Sequence, residues 1–518
     1  VGNDKVYDRR MPLKTFIFTS FAFLAVVSSL SVSAQIQQAW VAHYNNGITN
    51  GTHQAVKMAL DSAGNIYITG FSQNTNGNLD YVTIKYAPNG NQLWAARFDS
   101  TNTATAKPAA LALDPSKGVI ITGSALTIKY DSNGNQVWTA PYAGTALALD
   151  PAGDAYVTGF GTNFNTVKLD PTGSNLWVST FSESAGPTIS QAVLVDSAGN
   201  VYVSGLDTFV YARGASGRFQ GFVALTTIKY DPDGNQVWKA TTQGGDFNAT
   251  SLKVEGVALD SENNCCVAAQ FYPQVNQYSV YKISSNGAAI WSAVNPDASC
   301  GSDLVHGLAI DRTGEVFVTG QTCYFAPNDA YATFEYGTYK ANTNGSWIWT
   351  NTFPPVPVQP SVATSIAVDN VNNVYVTGYS FGTNSGNDIV TIKYDNNGNQ
   401  IWLERYNGPA NGDDEGNAIA VDTNGNVYVT GYATVAGGGT EMVTIKYAPG
   451  PLLQKQSNGS ILLQAVGAAG QNFDIQASTN LQTWQDLGTN TADTNGMLQY
   501  TDTNAPLFDR RFYLTIPQ

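Results

Sequence analysis

A chain of 518 residues with only 12% charged residues, 50 Gly and 27 Tyr has the composition of short strands joined by turns, and it is long enough to bury a large core. Long helices are not expected. The formal net charge of -14 argues against a nucleic-acid partner, because displacing counterions from phosphates takes a basic footprint that this sequence lacks.

The ten residues before Met11 read as an upstream extension of the reading frame. From Met11 the chain passes through Lys14 into the apolar stretch Phe16 to Val27 and on to Val32-Ser33-Ala34, the three parts of a secretory signal peptide over residues 11–34. Gln35 is then the expected first residue of the mature protein, with an uncleaved anchor at the same place as the alternative. No later segment approaches the roughly 18 apolar residues of a membrane span. The expected location is therefore secreted or cell surface, with no membrane span after signal cleavage.

Beyond residue 35 the chain repeats itself. An apolar strand ending in Asp, a turn and a second strand recur with Asp at 61, 114, 150, 196, 260, 311, 369 and 422. A third strand carrying Lys follows each time, at 85, 129, 168, 229, 282, 340, 393 and 446, and then a turn and a strand with Trp at 94, 138, 177, 238, 291, 349 and 402. Eight Lys are thus followed by only seven Trp. The missing one stands at the other end, where QQAWVAHYNNG places Trp40 in an unattached strand that matches IWLERYNG at Ile401 to Gly408. A unit of this size cannot bury its own apolar face, so neighbours must stack. The economical arrangement is a ring in which the N-terminal strand completes the sheet begun by the last repeat and removes the free edges. The prediction is an all-β chain: an eight-bladed β-propeller over residues 35–450, closed by its N-terminal strand, each blade with strands a to d.

AIAVDTNGNVYVTG at Ala418 to Gly431, with the VTIKY that follows it, resembles the bacterial β-propeller repeat called the SBBP repeat. The likeness runs over about residues 37 to 450 and implies a secreted bacterial propeller protein. That family is commonly described as seven-bladed, so eight units depart from it. Past Pro451, FDIQASTNLQTWQDLGT and YTDTNAPLFDRRFYLTIP resemble a small C-terminal module of secreted Verrucomicrobia proteins. The resemblance implies a β-sandwich-like domain over 451–518 for attachment, sorting or carbohydrate contact.

Turns such as DSAGN at Asp61 and DTNGN at Asp422 supply Asp at the start and Gly where positive φ is wanted. No cofactor is predicted. Calcium stays open as an alternative, because the turns offer Asp and Asn oxygens, although the twelve-residue loop with its terminal Glu is missing. A ligand site is seldom repeated in every blade, whereas a packing solution must be. The Lys are accordingly read as structural, stems between blades and amines near turn oxygens, and the Trp as wedges between blades.

Tight turns join a to b and c to d on one face, so the variable b–c and d–a connections share the other, which is the expected binding face. Its longest insertion, Leu206 to Leu225, carries Phe209, Tyr211, Arg213 and Arg218 as candidate binding residues. Asp80, Asp388 and Glu441 precede strand c in three blades and Asp303, Asp413, Asp414 and Glu415 precede strand a in two, reading either as a solvated acidic rim or as a site. In a closed ring Asp414 and Glu415 would approach His53 as a metal or acid–base cluster, and His306 near Asp303 is a second candidate. Cys300 and Cys323 both fall on the variable face and would pair in an oxidising compartment, whereas Cys265 and Cys266 read as core fillers.

The first functional reading is a non-catalytic monomeric propeller that binds a protein or carbohydrate ligand. The second is an extracytoplasmic enzyme, either carbohydrate-active or like the quinone-dependent dehydrogenases, whose tryptophan-docking repeat YDSNGNQVW at Tyr130 to Trp138 resembles. The spacing there is one residue short and no catalytic Asp with a calcium cluster can be picked out. Scarce Arg and absent Asp-box motifs count against a sialidase.

Overall fold

The computed structural model describes residues 36–517 except 49, 100–104, 183–187, 212–219, 244–250, 273–277, 295–302, 326–331, 354–359, 451, 467–469, 471, 481 and 494–496. The expected signal peptide lies outside the described residues. Those residues form eight four-stranded and two three-stranded antiparallel sheets, with a single 3-10 turn at Ala505–Leu507 as the helical element.

Sheets 1 to 7 each use four consecutive strands, beginning with strand a at His53–Leu60, Pro108–Leu113, Ala146–Leu149, Ile189–Val195, Ser251–Leu259, Leu304–Ile310 and Ser361–Val368. Sheet 8 takes strands a to c from Glu415–Val421, Val427–Thr434 and Thr440–Pro449, and its fourth strand is Ile36–Tyr44 from the other end of the chain, paired from Ile36 opposite Pro449 to Tyr44 opposite Met442.

The repeated motifs explain why these strands form. In NVYVTG and VTIKY both faces are packed, so strands b and c are buried nearly throughout, as in Ile66–Gln73 and Leu79–Tyr86. Polar Thr survives there because two of them meet across the pair: Thr69 with Thr83 (3.3 Å), Thr122 with Thr127 (2.8 Å), Thr430 with Thr444 (2.9 Å). Each Asp closes its own a–b turn. Asp61 Oδ1 accepts from the Ala63 and Asn65 amides at 2.9 Å and Oδ2 from Asn65 Nδ2 at 2.7 Å. At this turn both carboxylate oxygens are engaged in the hairpin.

Successive sheets are held by strand d. Seven Trp donate Nε1 to a carbonyl in the c–d turn of the next sheet, from Trp40 to Pro88 O (3.0 Å) and Trp94 to Ser132 O (3.0 Å) through to Trp349 to Asn396 O (3.1 Å). The strand-c Lys supports the same joint. Lys85 and Lys446 reach Ser132 O and Pro88 O at 3.2 Å, Lys129 and Lys282 pair with their own turn Asp114 (2.5 Å) and Asp260 (2.9 Å), and Lys85 lies 4.8 Å over the Tyr67 ring.

Residues 452–517 form the two three-stranded sheets around Leu463, Phe473, Ile475 and Leu498, and Gln37 Nε2 donates to Thr515 O at 3.4 Å.

Candidate functional site

Of the acidic residues expected at the mouth Asp413 is exposed, but most of the others are not a solvated rim. Asp80, Asp303 and Asp414 are fully buried and Asp388 is 2% exposed. Asp80 and Asp388 lie within strand c and face a strand-d Arg: Arg97 Nη2 is 2.8 Å from Asp80 Oδ2, and Arg405 Nη1 is 2.8 Å from Asp388 Oδ2. Sheet 8 repeats the pairing with other residues, since His43 on the N-terminal strand sits opposite Val443, as Arg97 sits opposite Val82, and its Nδ1 is 2.8 Å from Glu441 Oε1. Three of the candidates are therefore halves of acid–base pairs that tie strand c to strand d.

His53 belongs to the first of these pairs. Its Nδ1 is 2.8 Å from Ser72 Oγ, which also accepts from Arg97 Nη1 at 3.0 Å. Burial first, then the Arg97 charge, lowers its imidazole to about 4. The predicted cluster with Asp414 and Glu415 does not form. His53 meets sheet 8 through Thr440, whose Oγ1 accepts from the His53 amide at 3.0 Å. Asp414 instead accepts from the Gly408 and Thr434 amides, and burial raises its carboxyl to about 6. Glu415 is raised by burial and hydrogen-bonds Tyr432. Among the described residues no three His, Cys, Asp or Glu are grouped as metal ligands.

His306 and Asp303 are likewise separate. Asp303 Oδ1 accepts from the Cys323 amide (2.6 Å) and Thr322 Oγ1 (3.1 Å), while His306 is lowered to about 4 by burial and then by Lys253. Each of these two imidazoles contributes to weakening the fold in acid. Below pH 6.5 the unfolded chain takes up protons that the folded chain refuses until about pH 4, so stability falls as pH drops through that window. Asp414, whose carboxyl keeps its proton in the folded chain up to about pH 6, opposes them, as do Glu335, Glu404 and Glu415, all raised by burial. The contribution of one imidazole is therefore read by difference: between pH 6.5 and 4.5 the unfolding free energy of the wild type, measured in urea, should fall relative to that of His306→Ala, by at most about 1.4 kcal/mol per pH unit. Equal pH dependence of the two chains would contradict the assignment.

The Leu206 to Leu225 insertion is a hairpin and not an irregular loop. Strand b of sheet 4 continues to Tyr211 and pairs with Gln220–Tyr230, so Phe209 stands opposite Phe222 and Tyr211 opposite Gln220. Arg213 and Arg218 lie outside the described residues. Sheet 6 extends in the same way, Val316–Phe325 against Ala332–Ala341. Cys323 falls on that extension, within strand b, and is disulfide-bonded, whereas Cys265 and Cys266 are free and buried with thiols pushed up. Cys300 is outside the described residues.

One group escaped the sequence reading. Strand a carries a bulge in most sheets, and in three of them the bulged residue bonds onward to the next strand a: Gln191 Nε2 to Leu252 O (3.0 Å), Thr364 Oγ1 to Gly416 O, and Asn417 Nδ2 to Ala55 O (2.9 Å). On these strands also lies Lys57, which an alignment of the eight units would have exposed as a departure, since the equivalent residue in the other seven is Ala, Gly or Ser.

The family model described as "SBBP: Beta-propeller repeat" matches residues 405–438. An uncharacterized WD repeat-containing protein of Acanthamoeba polyphaga mimivirus is 26% identical over 466 residues, covering 76% of this chain. The chain spans only 31% of that relative's length. Among solved structures, an apocarotenoid oxygenase mutant of Synechocystis aligns at TM-score 0.40 with 10% identity, covering 72% of this chain and 94% of its own. The WD40 domain of SCAP from fission yeast aligns at 0.37 with 10% identity, covering 66% and 85%. Taken with the repeated sheets, the family match supports a propeller repeat protein.

Proposed function

We propose that the eight sheets are the blades of one closed ring and that the ring is a secreted or cell-surface, non-catalytic, monomeric scaffold. It would bind a protein or carbohydrate through the face that carries the b–c connections. Closure is supported by the joint between the last and first sheets, which uses the same bonds as every other joint: Trp40 and Lys446 both donate to Pro88 O, and Asn417 donates to Ala55 O. Tyr428 and Met442 of sheet 8 share one core with Ile66, Val82 and Tyr86 of sheet 1. In support of an extracytoplasmic location are the apolar leader and the disulfide at Cys323.

The observation that carries the binding reading is how the repeated polar residues are used. The Asp, Lys and Trp that recur are engaged in their own hairpins or in the next sheet, while two hairpins of ten or eleven residues per strand rise on one face. Glycan-array and protein-capture screens on the full chain would identify the ligand. Joining Thr208 to Val223, which are paired across the hairpin, by Asn-Gly should then cut that binding at least tenfold and leave the melting temperature within a few degrees, because the buried Val223 is kept. Undiminished binding by the trimmed chain would sink the proposal.

A further inference from the structure

On the face opposite the long hairpins, three neighbouring a–b turns line an open-sided cavity of about 420 Å³. Each of sheets 2, 3 and 4 lends it the last apolar residue of strand a, the turn Asp and the residue after that Asp. Leu113, Leu149 and Val195 form an aliphatic wall, half-buried because one side of each packs between the sheets. Pro115, Pro151 and Ser197 are its exposed rim. The turns meet closely, since a Cβ on Gly153 of sheet 3 would stand 3.4 Å from Cδ of Pro115 in sheet 2.

No residue lining the cavity carries a positive charge, and the two Pro have no N–H to donate. Its three carboxylates differ in how their charge is met. Asp114 is 2.5 Å from Lys129 Nζ, and Asp150 is 3.8 Å from Lys168 Nζ, which also lies 3.0 Å from Asp154. Asp196 has no ion pair among the described residues; its oxygens accept from the Ala198 amide (3.0 Å), the Asn200 amide (2.9 Å), Asn200 Nδ2 (2.8 Å) and the Tyr202 hydroxyl (3.3 Å), all neutral donors. The strand-c lysine of the same sheet does not supply the missing charge, because Lys229 Nζ lies 3.5 Å from Ser285 O of sheet 5 and 4.8 Å over the Tyr202 ring. Asp196 is thus satisfied in hydrogen bonds and unmatched in charge.

We propose that this cavity binds an aliphatic primary amine in its ammonium form, with the alkyl chain against Leu113, Leu149 and Val195 and the charged end toward Asp196 and Ser197. It needs three adjacent sheets only, so it stands whether or not the ring closes, and it is separate from the hairpin face. Aliphatic surface removed from water supplies the affinity, and the unmatched carboxylate supplies the preference for a cation. The ammonium need not displace the four donors, because charges attract without a direct bond and do so more strongly in a partly enclosed cavity than in bulk water. An alcohol of the same length would gain only the apolar contact, and a carboxylate would be repelled. Sheet 6 shows how such a space can be bridged: the residue after its turn Asp is Arg312, whose Nη2 reaches Oδ1 of Asn370, the equivalent residue of sheet 7, at 2.6 Å. Pro151→Arg would repeat that reach from sheet 3 toward Ser197 of sheet 4, laying a guanidinium across the cavity beside Asp196.

The full chain should be titrated calorimetrically with hexylamine at about pH 7, where an alkylamine is protonated, and in parallel arms with hexanol and hexanoate. Saturable binding of one equivalent is expected for hexylamine, at least tenfold weaker binding for hexanol and none for hexanoate. Pro151→Arg should weaken the binding of hexylamine at least tenfold, and Ser197→Asp should tighten it. Both positions are exposed, so circular dichroism and the melting temperature should be unchanged in the two variants. Absence of saturable hexylamine binding overturns the site, and so does hexanol or hexanoate binding as tightly as hexylamine. Equal affinity for hexylamine in the wild type and in either folded variant overturns it as well.

Discussion

Trp138→Ala is expected to lower the unfolding free energy by about 3–5 kcal/mol, the cost of emptying an aromatic position in a packed interior. Its side chain is 9% exposed, and it bridges sheets 2 and 3 by donating Nε1 to Pro171 O at 3.0 Å. The indole lies against Gly173, where a Cβ would stand 2.7 Å from the ring and where φ is +86°. Gly173→Ala should therefore destabilise from the other side of the same contact, by ring displacement and backbone strain together. Val137, the neighbour of Trp138 on strand d, is 53% exposed, and Val137→Ala should stay within about 0.5 kcal/mol. Urea midpoints of the three variants test the ordering. Equal midpoints for Trp138→Ala and Val137→Ala would remove the wedge from the account.

A larger effect is expected from removing residues 1–44. The truncation strips Thr440–Pro449 of the strand paired along it and takes away Trp40, whose ring lies 6.5 Å from Tyr86 and 6.3 Å from Tyr428. The loss combines an aromatic wedge with a row of backbone hydrogen bonds, at least about 5 kcal/mol together. It also leaves a free edge in a chain that otherwise has its edges covered by Trp strands, so the expected product is unfolded or associates edge to edge. A synthetic peptide of residues 35–46 added in trans should restore a folded monomer.

How much of this was legible in the sequence differs from element to element. The spacing of Asp, Lys and Trp marked out the strands of each sheet, because a period-2 strand bounded by a tight turn leaves a strong pattern and eight copies average away its exceptions. Trp40 could be assigned to sheet 8 because seven other strands supplied its template. The insertion at Leu206 to Leu225 was read only as a variable connection, since Gly and Arg interrupt its alternation while the strands on either side keep pairing through Tyr211 and Gln220. Burial of Asp80 and Asp388 was not visible from the acids alone. The clue lay in a second residue, as each is followed 17 positions later by the Arg that neutralises it. Lys57 was overlooked for the opposite reason. Attention to what the units share hides the one unit that differs, and a lysine in a strand looks unremarkable until the equivalent residues are seen to be small.

The central claim is that residues 36–44 complete the last sheet and join it to the first. Amide hydrogen exchange over residues 442–448 tests it most directly, comparing the full chain with the chain lacking residues 1–44 before and after addition of the 35–46 peptide. The account predicts strong protection in the full chain, loss of it on truncation and its return with the peptide. Equal protection in the full and truncated chains would contradict it.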